Sequence, residues 1–500
     1  MKKLSALDAN FLYSESPKTP NHISSVQIFK PTKNQSIDVF TKGLKELFRS
    51  RLHLVPYLTH KLKFTPGNID HPVWMEDTEF DIDNHFFRIE LTAPGSFTQL
   101  EEKVAEIHSE LMDRSKPLWK IFIITGLEDG KFAYYNQAHH ACLDGMAAQA
   151  ATQTLMDTTP NPTIVTPASE PRTNDENLTE LFRLSAENLF KFQLAVPKNT
   201  VNFMNSLFRL SKRVIDPDKS SGNLFSIAPP TRFNRSVSRE RSYAAGNMSV
   251  LEMKAMAKLS CCKLNDIFLA VCAGGLQRYM LRLNELPSRS LIAACPVSLR
   301  KPGDISMDNQ VTMMGIALAT DLSDPLLRLN AITHSSRTAK ELIADAAGLQ
   351  NTEVSLFGLP AFMTSISRIA ETIGLADRIR SPMNVLISNV PGPQETLYSN
   401  GAKMLTHYPV SIPTHGFGLN ITGTSYVNDF CFAITSCAKA VPDATIMRDD
   451  IMDAYEELRS VLIPKFIVVE KTIAEEGFAD ERTDAVSLGS TSTQAEVRVA

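Results

Sequence analysis

The stretch Gln137-Ala138-His139-His140-Ala141-Cys142-Leu143-Asp144-Gly145 restricts the fold more than any other part of this chain. A β-like run from Phe132 to Tyr135 precedes it and a helix-like run from Met146 to Met156 follows, so the segment reads as strand, loop, helix. With 11 His and 22 Gly in 500 residues, a chance HHxxxDG is expected on the order of 10⁻³ times. A histidine at the end of a strand, titrating near neutrality, can accept a proton and later return it, as a general base does. Asp144 is placed to cap the helix that follows, and Gly145 to let the backbone turn sharply.

Other chemistries compete for these residues. Adjacent histidines on an extended segment face opposite ways and cannot easily share one ion, so no metal is expected. Cys142 as a nucleophile would need an orienting third group and an electropositive niche that the sequence does not show. A purely structural histidine pair is the remaining alternative.

Composition then narrows the class. The chain is 43% hydrophobic and 21% charged, enough to bury a sizeable core, and it is too long for a single core to serve, so two domains or subdomains are expected. A net charge of -4 gives no global pull toward nucleic acid, and none is expected as a partner. Seven cysteines without a metal-spaced CxxC pair read as structural thiols in a reducing cytosol. Met1-Lys2-Lys3-Leu4-Ser5 leads into no apolar run of signal-peptide length, and Ile267 to Leu276 is about half the roughly 20 residues that span a bilayer. Any membrane contact is therefore expected to be peripheral.

Four regions follow from the pattern. Residues 1–160 mix helical periods (Phe40 to Phe48, Leu100 to Leu111) with a strand at Lys120 to Thr125. Residues 161–235 form a Pro-rich connector with amphipathic helices. Between Asn188 and Ile215 the charged residues are all basic (Lys191, Lys198, Arg209, Lys212, Arg213), which suits either an interfacial helix on anionic lipid or a crossover helix with a solvated basic edge. Residues 236–470 again alternate helices (Asp266 to Leu283, Asp324 to Ala344) with β-like runs (Asn309 to Ala319, Met383 to Ile387, Phe417 to Tyr426), with a hairpin turn at Asn428-Asp429. No sequence repeat links the halves, and residues 471–500 read as a disordered tail.

Beside HHxxxDG stand Leu4-Ser5-Ala6-Leu7-Asp8-Ala9-Asn10-Phe11-Leu12, Pro117-Leu118-Trp119, Asn265-Asp266, Pro296-Val297-Ser298-Leu299-Arg300 and Ser388-Asn389-Val390-Pro391-Gly392-Pro393. On these motifs the chain resembles, from residue 4 to about residue 465, the bacterial wax ester synthase/acyl-CoA:diacylglycerol acyltransferase family. HHxxxDG alone marks only the wider group, which includes chloramphenicol acetyltransferase and peptide-synthetase condensation domains. The resemblance implies an α/β fold of two chloramphenicol-acetyltransferase-like subdomains with a tunnel at their interface. It also implies His140 as catalytic base, His139 as its support, and an Asp144 to Arg300 ion pair. Asn21 stands where the family often has methionine.

Further site residues are expected around this centre. Asn265 reads locally as part of a helix start, and alternatively as a residue that orients substrate or stabilises an oxyanion, with Asn389 and Asn420 in reserve. The apolar run Val354 to Met363, with Leu356, Gly358 and Ala361, together with Met404, could line an acyl channel or belong to a buried core. Trp119 is expected to pack, and Ser388 to Pro393 to cross between subdomains. The activity implied is transfer of a long-chain acyl group from acyl-CoA to a fatty alcohol or diacylglycerol, with acyl-CoA as substrate and no cofactor. It would take place at the cytosolic membrane face or on lipid inclusions. A condensation-type acyltransferase using carrier-protein thioesters and a non-catalytic lipid-binding protein are the competing readings.

Overall fold

Side-chain caps set several of the helices. Ser5, Ser36 and Ser96 each accept a backbone N–H three residues on and so start α1 (Ala6–Ser14), α2 (Ile37–Arg51) and α3 (Phe97–His108). The N-terminal half adds β1 (Lys2–Lys3), β2 (His22–Lys30), β3 (His60–Lys63), β4 (Val73–Glu76), β5 (Phe86–Glu90), β6 (Trp119–Thr125), β7 (Phe132–His139) and α4 (Gly145–Leu155). The C-terminal half begins with β8 (Arg241–Ser249), α5 (Val250–Leu259), α6 (Leu264–Arg282), β9 (Ile292–Ser298), β10 (Val311–Ala317), α7 (Pro325–Asp345), α8 (Pro360–Thr372) and α9 (Leu375–Arg378). It ends with β11 (Val385–Val390), β12 (Tyr398–Ser399), β13 (Ala402–Val410), β14 (Leu419–Tyr426), β15 (Asp429–Cys437) and α10 (Ala444–Leu462).

The computed structural model describes residues 2–33, 35–65, 68, 70–166, 179, 183, 185–187, 227–298, 309, 311–345 and 360–463. The basic stretch Asn188 to Ile215, most of the Pro-rich connector, Arg300, Leu356, Gly358 and the polar tail lie outside the described residues. Among the described residues no single helix is long and apolar enough to cross a membrane.

Two six-stranded mixed sheets carry the fold, in the orders β12-β13-β2-β7-β6-β5 and β10-β9-β11-β14-β15-β8, beside a small sheet β1-β4-β3. The strands from the two halves are not segregated. After β11 in the second sheet, Pro391 to Leu397 carries the chain across, as expected for this Pro-Gly-Pro segment, and β13 pairs antiparallel with β2 in the first sheet. The turn between β14 and β15 is Val427-Asn428, because Tyr426 pairs with Asp429; it falls one residue before the position read from the sequence.

The apolar pattern explains where these layers meet. Along β2, Val26 and Ile28 join a core with Tyr243, Ala245, Cys431 and Ala433 of β8 and β15, while Ser25 and Gln27 on the alternate face line a cavity. Helix α6 is buried along most of its length, consistent with its near-continuous apolar sequence. A Cβ at Gly275 would lie 2.3 Å from Ile451 Cγ1 and 2.7 Å from Ile451 Cα, so glycine is what lets α10 lie this close.

One carboxyl sits in the seam between the halves. Glu101 of α3 is buried, accepts the Ala245 N–H of β8 at 2.8 Å and lies 3.3 Å from Arg448 of α10. Burial pushes its pKa up to about 7, against the opposing pull of the Ala245 N–H and of Arg448. Between the ordinary glutamate value and pH 7 the folded state therefore holds more protons than the unfolded one, and this group's contribution to stability falls as pH rises through that window. In Glu101→Gln that slope is absent. The melting temperature of the variant relative to the parent is expected to rise between pH 5 and pH 8, measured by differential scanning fluorimetry; a pH-independent difference would refute the assignment.

Candidate active site

The end of β7 is held on both sides. His139 N–H donates to Leu118 O at 3.0 Å, and His140 N–H donates to Asn21 O at 2.9 Å. Extended backbone then sends the two imidazoles apart. His139 is fully buried, whereas His140 is half-buried in the wall of a cavity of about 760 Å³ lined by residues of both large sheets, α1 and α4. This cavity is where the interfacial tunnel was expected.

His139 belongs to a polar cluster behind the wall. Its Nδ1 accepts the Ala141 N–H at 3.0 Å, and its Nε2 lies 3.2 Å from Glu15 Oε1, outside good hydrogen-bond alignment. Glu15 also accepts the Asn21 N–H at 3.0 Å and two Arg114 N–H groups at 2.7 and 3.1 Å. Burial alone would raise the Glu15 pKa, but His139, His22 and Arg114 together hold it well below the usual carboxylate range. Asn21, the departure from the family pattern, ties α1 to the start of β2, its side-chain amide donating to Phe11 O at 2.6 Å and to Ser14 Oγ at 3.0 Å.

His140 is fixed by contacts that its own motif does not contain. Phe11 of α1 stacks on the imidazole at 4.0 Å between centroids and 9° between planes. Asn309 Nδ2 donates to His140 O at 2.8 Å and to Asp8 Oδ1 at 2.6 Å, and Asp8 also accepts the Asn309 N–H. Nδ1 is enclosed without a well-formed hydrogen bond, which leaves Nε2 as the ring nitrogen available to the cavity. Desolvation lowers the His140 pKa to about 4; Asp144 and Asn309 oppose the shift, more weakly. The imidazole is therefore neutral at pH 7 and ready to take a proton.

Asp144 caps α4, accepting the Ala147 N–H at 2.9 Å. Its expected partner Arg300 lies outside the described residues. Gly145 does not adopt a left-handed turn. Instead, a Cβ there would come within 3.1 Å of Val390 Cγ2, so the glycine serves close approach of α4 to β11 rather than a sharp bend. Cys142 is buried and burial pushes its thiol up, so the thiolate needed for nucleophilic attack is disfavoured.

The remaining candidates divide. Asn389 and Asn420 line the cavity, with the Asn420 amide already donating to Ser411 Oγ at 2.7 Å and accepting from Thr422 Oγ1 at 2.8 Å. Asn265 is not a cavity wall. It is the second residue of α6, where the Asp266 carboxylate accepts the Lys263 N–H at 3.0 Å, and the local helix-start reading replaces the oxyanion role. Met404 is likewise no wall: it is packed in the core shared by the two halves. Ala361 lies on α8, and Leu356 and Gly358 fall outside the described residues.

Among the described residues the apolar walls come from both halves, with Phe48, Tyr57, Ile121 and Leu155 from the N-terminal half and Val311, Met313, Leu386 and Ile412 from the C-terminal half. Trp119 packs as expected, stacked on His85 at 4.3 Å with its indole N–H donated to Leu58 O at 2.8 Å, and it also borders the cavity. Ser388, which the sequence placed only in a crossing segment, adds a hydroxyl to the wall, as do Thr422 and Thr424, which motif reading did not single out because lone hydroxyl residues on apolar strands carry no local signal.

Comparison with known proteins places this site in a family. The wax ester synthase/diacylglycerol acyltransferase catalytic domain profile matches residues 4–268, and the WS/DGAT C-terminal domain profile matches residues 307–459. The chain is similar to O-acyltransferase WSD of Acinetobacter baylyi, at 34% identity over 88% of this chain and 93% of that one. It is 32% identical to a putative diacylglycerol O-acyltransferase of Mycobacterium tuberculosis, over 91% and 99% of the two chains. Among solved structures it resembles the wax ester synthase/diacylglycerol acyltransferase of Marinobacter aquaeolei VT8, with a TM-score of 0.64, 26% identity and coverage of 91% and 98%. The first condensation domain of the CDA synthetase shares the fold alone, at TM-score 0.55 and 11% identity over 92% and 96%.

The stack on His140 makes a direct expectation. Removing the ring in Phe11→Ala admits water to one face and should move the imidazole titration upward from about 4 toward the ordinary histidine value. Phe11→Leu, which keeps the face covered, should leave it low. NMR of histidine-labelled protein reads the titration, and identical values in both variants would show that the stack does not control it.

Proposed function

The chain belongs to the wax ester synthase/diacylglycerol acyltransferase family, and from that premise we propose that it moves a long-chain acyl group from acyl-CoA to a fatty alcohol, and also to diacylglycerol, with His140 as the general base. It is an O-acyltransferase of that family. The observation that carries the residue assignment is the His140 imidazole, kept neutral by burial, with Nδ1 enclosed, in the wall of a cavity built by both halves of the chain.

A thioester is already activated, so the reaction needs no cofactor in this reading, and acyl-CoA is a substrate. Nε2 takes the hydroxyl proton as the alcohol oxygen forms its bond to the thioester carbon. The tetrahedral oxyanion then collapses, the carbon–sulfur bond breaks, and the sulfur leaves as thiolate and takes the proton from the imidazolium. Products are the ester and free CoA thiol. A positioned base of this kind contributes roughly 10² to 10⁴-fold. The hydroxyls of Ser388 and Thr424 and the amide of Asn389 are among the donors that the described cavity walls offer to an oxyanion, whereas the Thr422 hydroxyl is already donated to Asn420. His139 supports the strand end from behind, Asp144 and Gly145 set the start of α4, and Asn420 shapes the wall through its bonds to Ser411 and Thr422.

Chain preference comes from apolar burial, about 0.8 kcal/mol for each CH₂ removed from water. The apolar walls of the cavity favour long chains on that basis. Substrates of this kind reside in lipid, so the enzyme acts in the cytosol at a membrane face or lipid inclusion. The carrier-protein reading has less support, since its structural neighbours share the fold at 11% identity whereas both acyltransferase profiles match.

Purified protein given palmitoyl-CoA and hexadecanol together should release free CoA thiol, and neither substrate alone should do so. His140→Ala, if its circular dichroism and melting curve match the parent, should lose at least about a hundredfold in rate; retention of most activity would remove His140 from the mechanism. The acid limb of kcat/KM should fall near pH 4 rather than near the ordinary histidine pKa, because protonation of His140 from about 4 downward removes the base. An acid limb close to the unperturbed histidine value would contradict a desolvated base.

A further inference from the structure

Helix α8 carries an apolar stripe that the described packing does not cover. Ile366 and Ile369 of α8, and Ile373 just past its end, are 44%, 58% and 43% exposed; the Ile373 N–H still donates to Ile369 O, so their spacing of three and four residues puts them on one helical face. Exposed Ile379 follows just past α9. In the same segment Arg368, Arg378 and Arg380 are exposed and make no ion pair among the described residues. The nearby acids are engaged: Glu371 lies 3.1 Å from Lys18, and Asp377 accepts the Ser236 N–H at 2.9 Å. The face is therefore apolar with a surplus of positive charge.

Its position connects it to the cavity. Helix α8 packs against α1, whose Phe11 and Leu7 line the cavity, Leu7 being itself 40% exposed. Met383, shortly after α9, is another cavity wall. Helix α8 is thus seated on a helix that walls the cavity.

We propose that this α8–α9 face docks on the surface of an anionic phospholipid bilayer. The isoleucines enter the boundary between headgroups and acyl chains, and Arg368, Arg378 and Arg380 meet the lipid phosphates. Exposed isoleucines with unpaired arginines in the same segment fit a charged lipid surface, where apolar insertion and attraction to anionic headgroups act together. Protein interfaces, by contrast, favour aromatic anchors beside arginine, and residues 364–380 contain no Phe, Tyr or Trp. Docking through α8 brings the adjacent cavity-lining helix α1 near the lipid that holds a water-insoluble acceptor; that benefit rests on the lipid acyltransferase reading, whereas the docking itself does not. The face is distinct from the basic stretch Asn188 to Ile215, to which sequence composition pointed.

Flotation of the full chain with vesicles of equal parts phosphatidylglycerol and phosphatidylcholine, beside vesicles of phosphatidylcholine alone, tests this docking. The parent should float with the mixed vesicles, less so at high salt, and weakly with phosphatidylcholine. The double variant Ile369→Glu/Ile373→Glu should lose vesicle binding about tenfold or more. The triple variant Arg368→Gln/Arg378→Gln/Arg380→Gln should lose the preference for the anionic vesicles. Both should retain parental rates with octanoyl-CoA and a water-soluble short alcohol, which shows that fold and chemistry are intact. Variants that bind vesicles like the parent would overturn the proposal, as would a parent that transfers acyl groups yet does not float, or one whose stripe is covered by a second copy in solution. A parent that floats but transfers nothing would leave the docking surface standing and remove the catalytic reading instead.

Discussion

The site depends on the anchoring of one strand end. His139 and His140 are tied by their N–H groups to Leu118 and Asn21, and behind them Glu15 gathers Arg114, Asn21 and His139 around one buried carboxylate. Removing one member of such a buried charged cluster typically costs about 3–5 kcal/mol, because the remaining charge is left uncompensated. That cost explains why the second histidine can face a cavity without drifting. The first histidine holds the backbone, and the peptide plane between them sets the second ring.

Desolvation is the other half of the arrangement. The same burial that stacks Phe11 against His140 lowers the basicity of the ring. A weaker base accepts a proton less avidly, but it is wholly in its accepting form across the physiological range, and it returns the proton readily to a leaving thiolate. Positioning then matters more than intrinsic basicity. Asp8 and Asn309 contribute to it by clamping α1 and the His140 carbonyl to one another.

The two halves cannot be understood as independent units placed side by side. β13, from the C-terminal half, supplies a strand to the first sheet, and Asp157 after α4 exchanges two backbone hydrogen bonds with Tyr398 of β12. The core that contains Val26 and Ile28 also contains Tyr243 and Cys431. Both walls of the cavity are therefore built on shared layers, so a change in one wall is felt by the other.

Local sequence determined several elements and marked the loop that carries the two histidines. Caps and periodicity located α2, α3, α4, α6 and α7 to within a few residues, and the rarity of HHxxxDG singled out the His139–His140 pair, because both signals depend only on neighbours in the chain; the choice of His140 as the base came from the family resemblance. The tertiary structure alone decided which distant residues surround that ring. Phe11, Asp8 and Asn309 reach His140 from 129, 132 and 169 positions away, and no periodicity records such a pairing. It also left Asn265 outside the cavity's lining and put Met404 in the core: a residue in the first turn of a helix and an apolar strand residue read the same whether or not they face a cavity, and only the packing of one layer on another distinguishes the two.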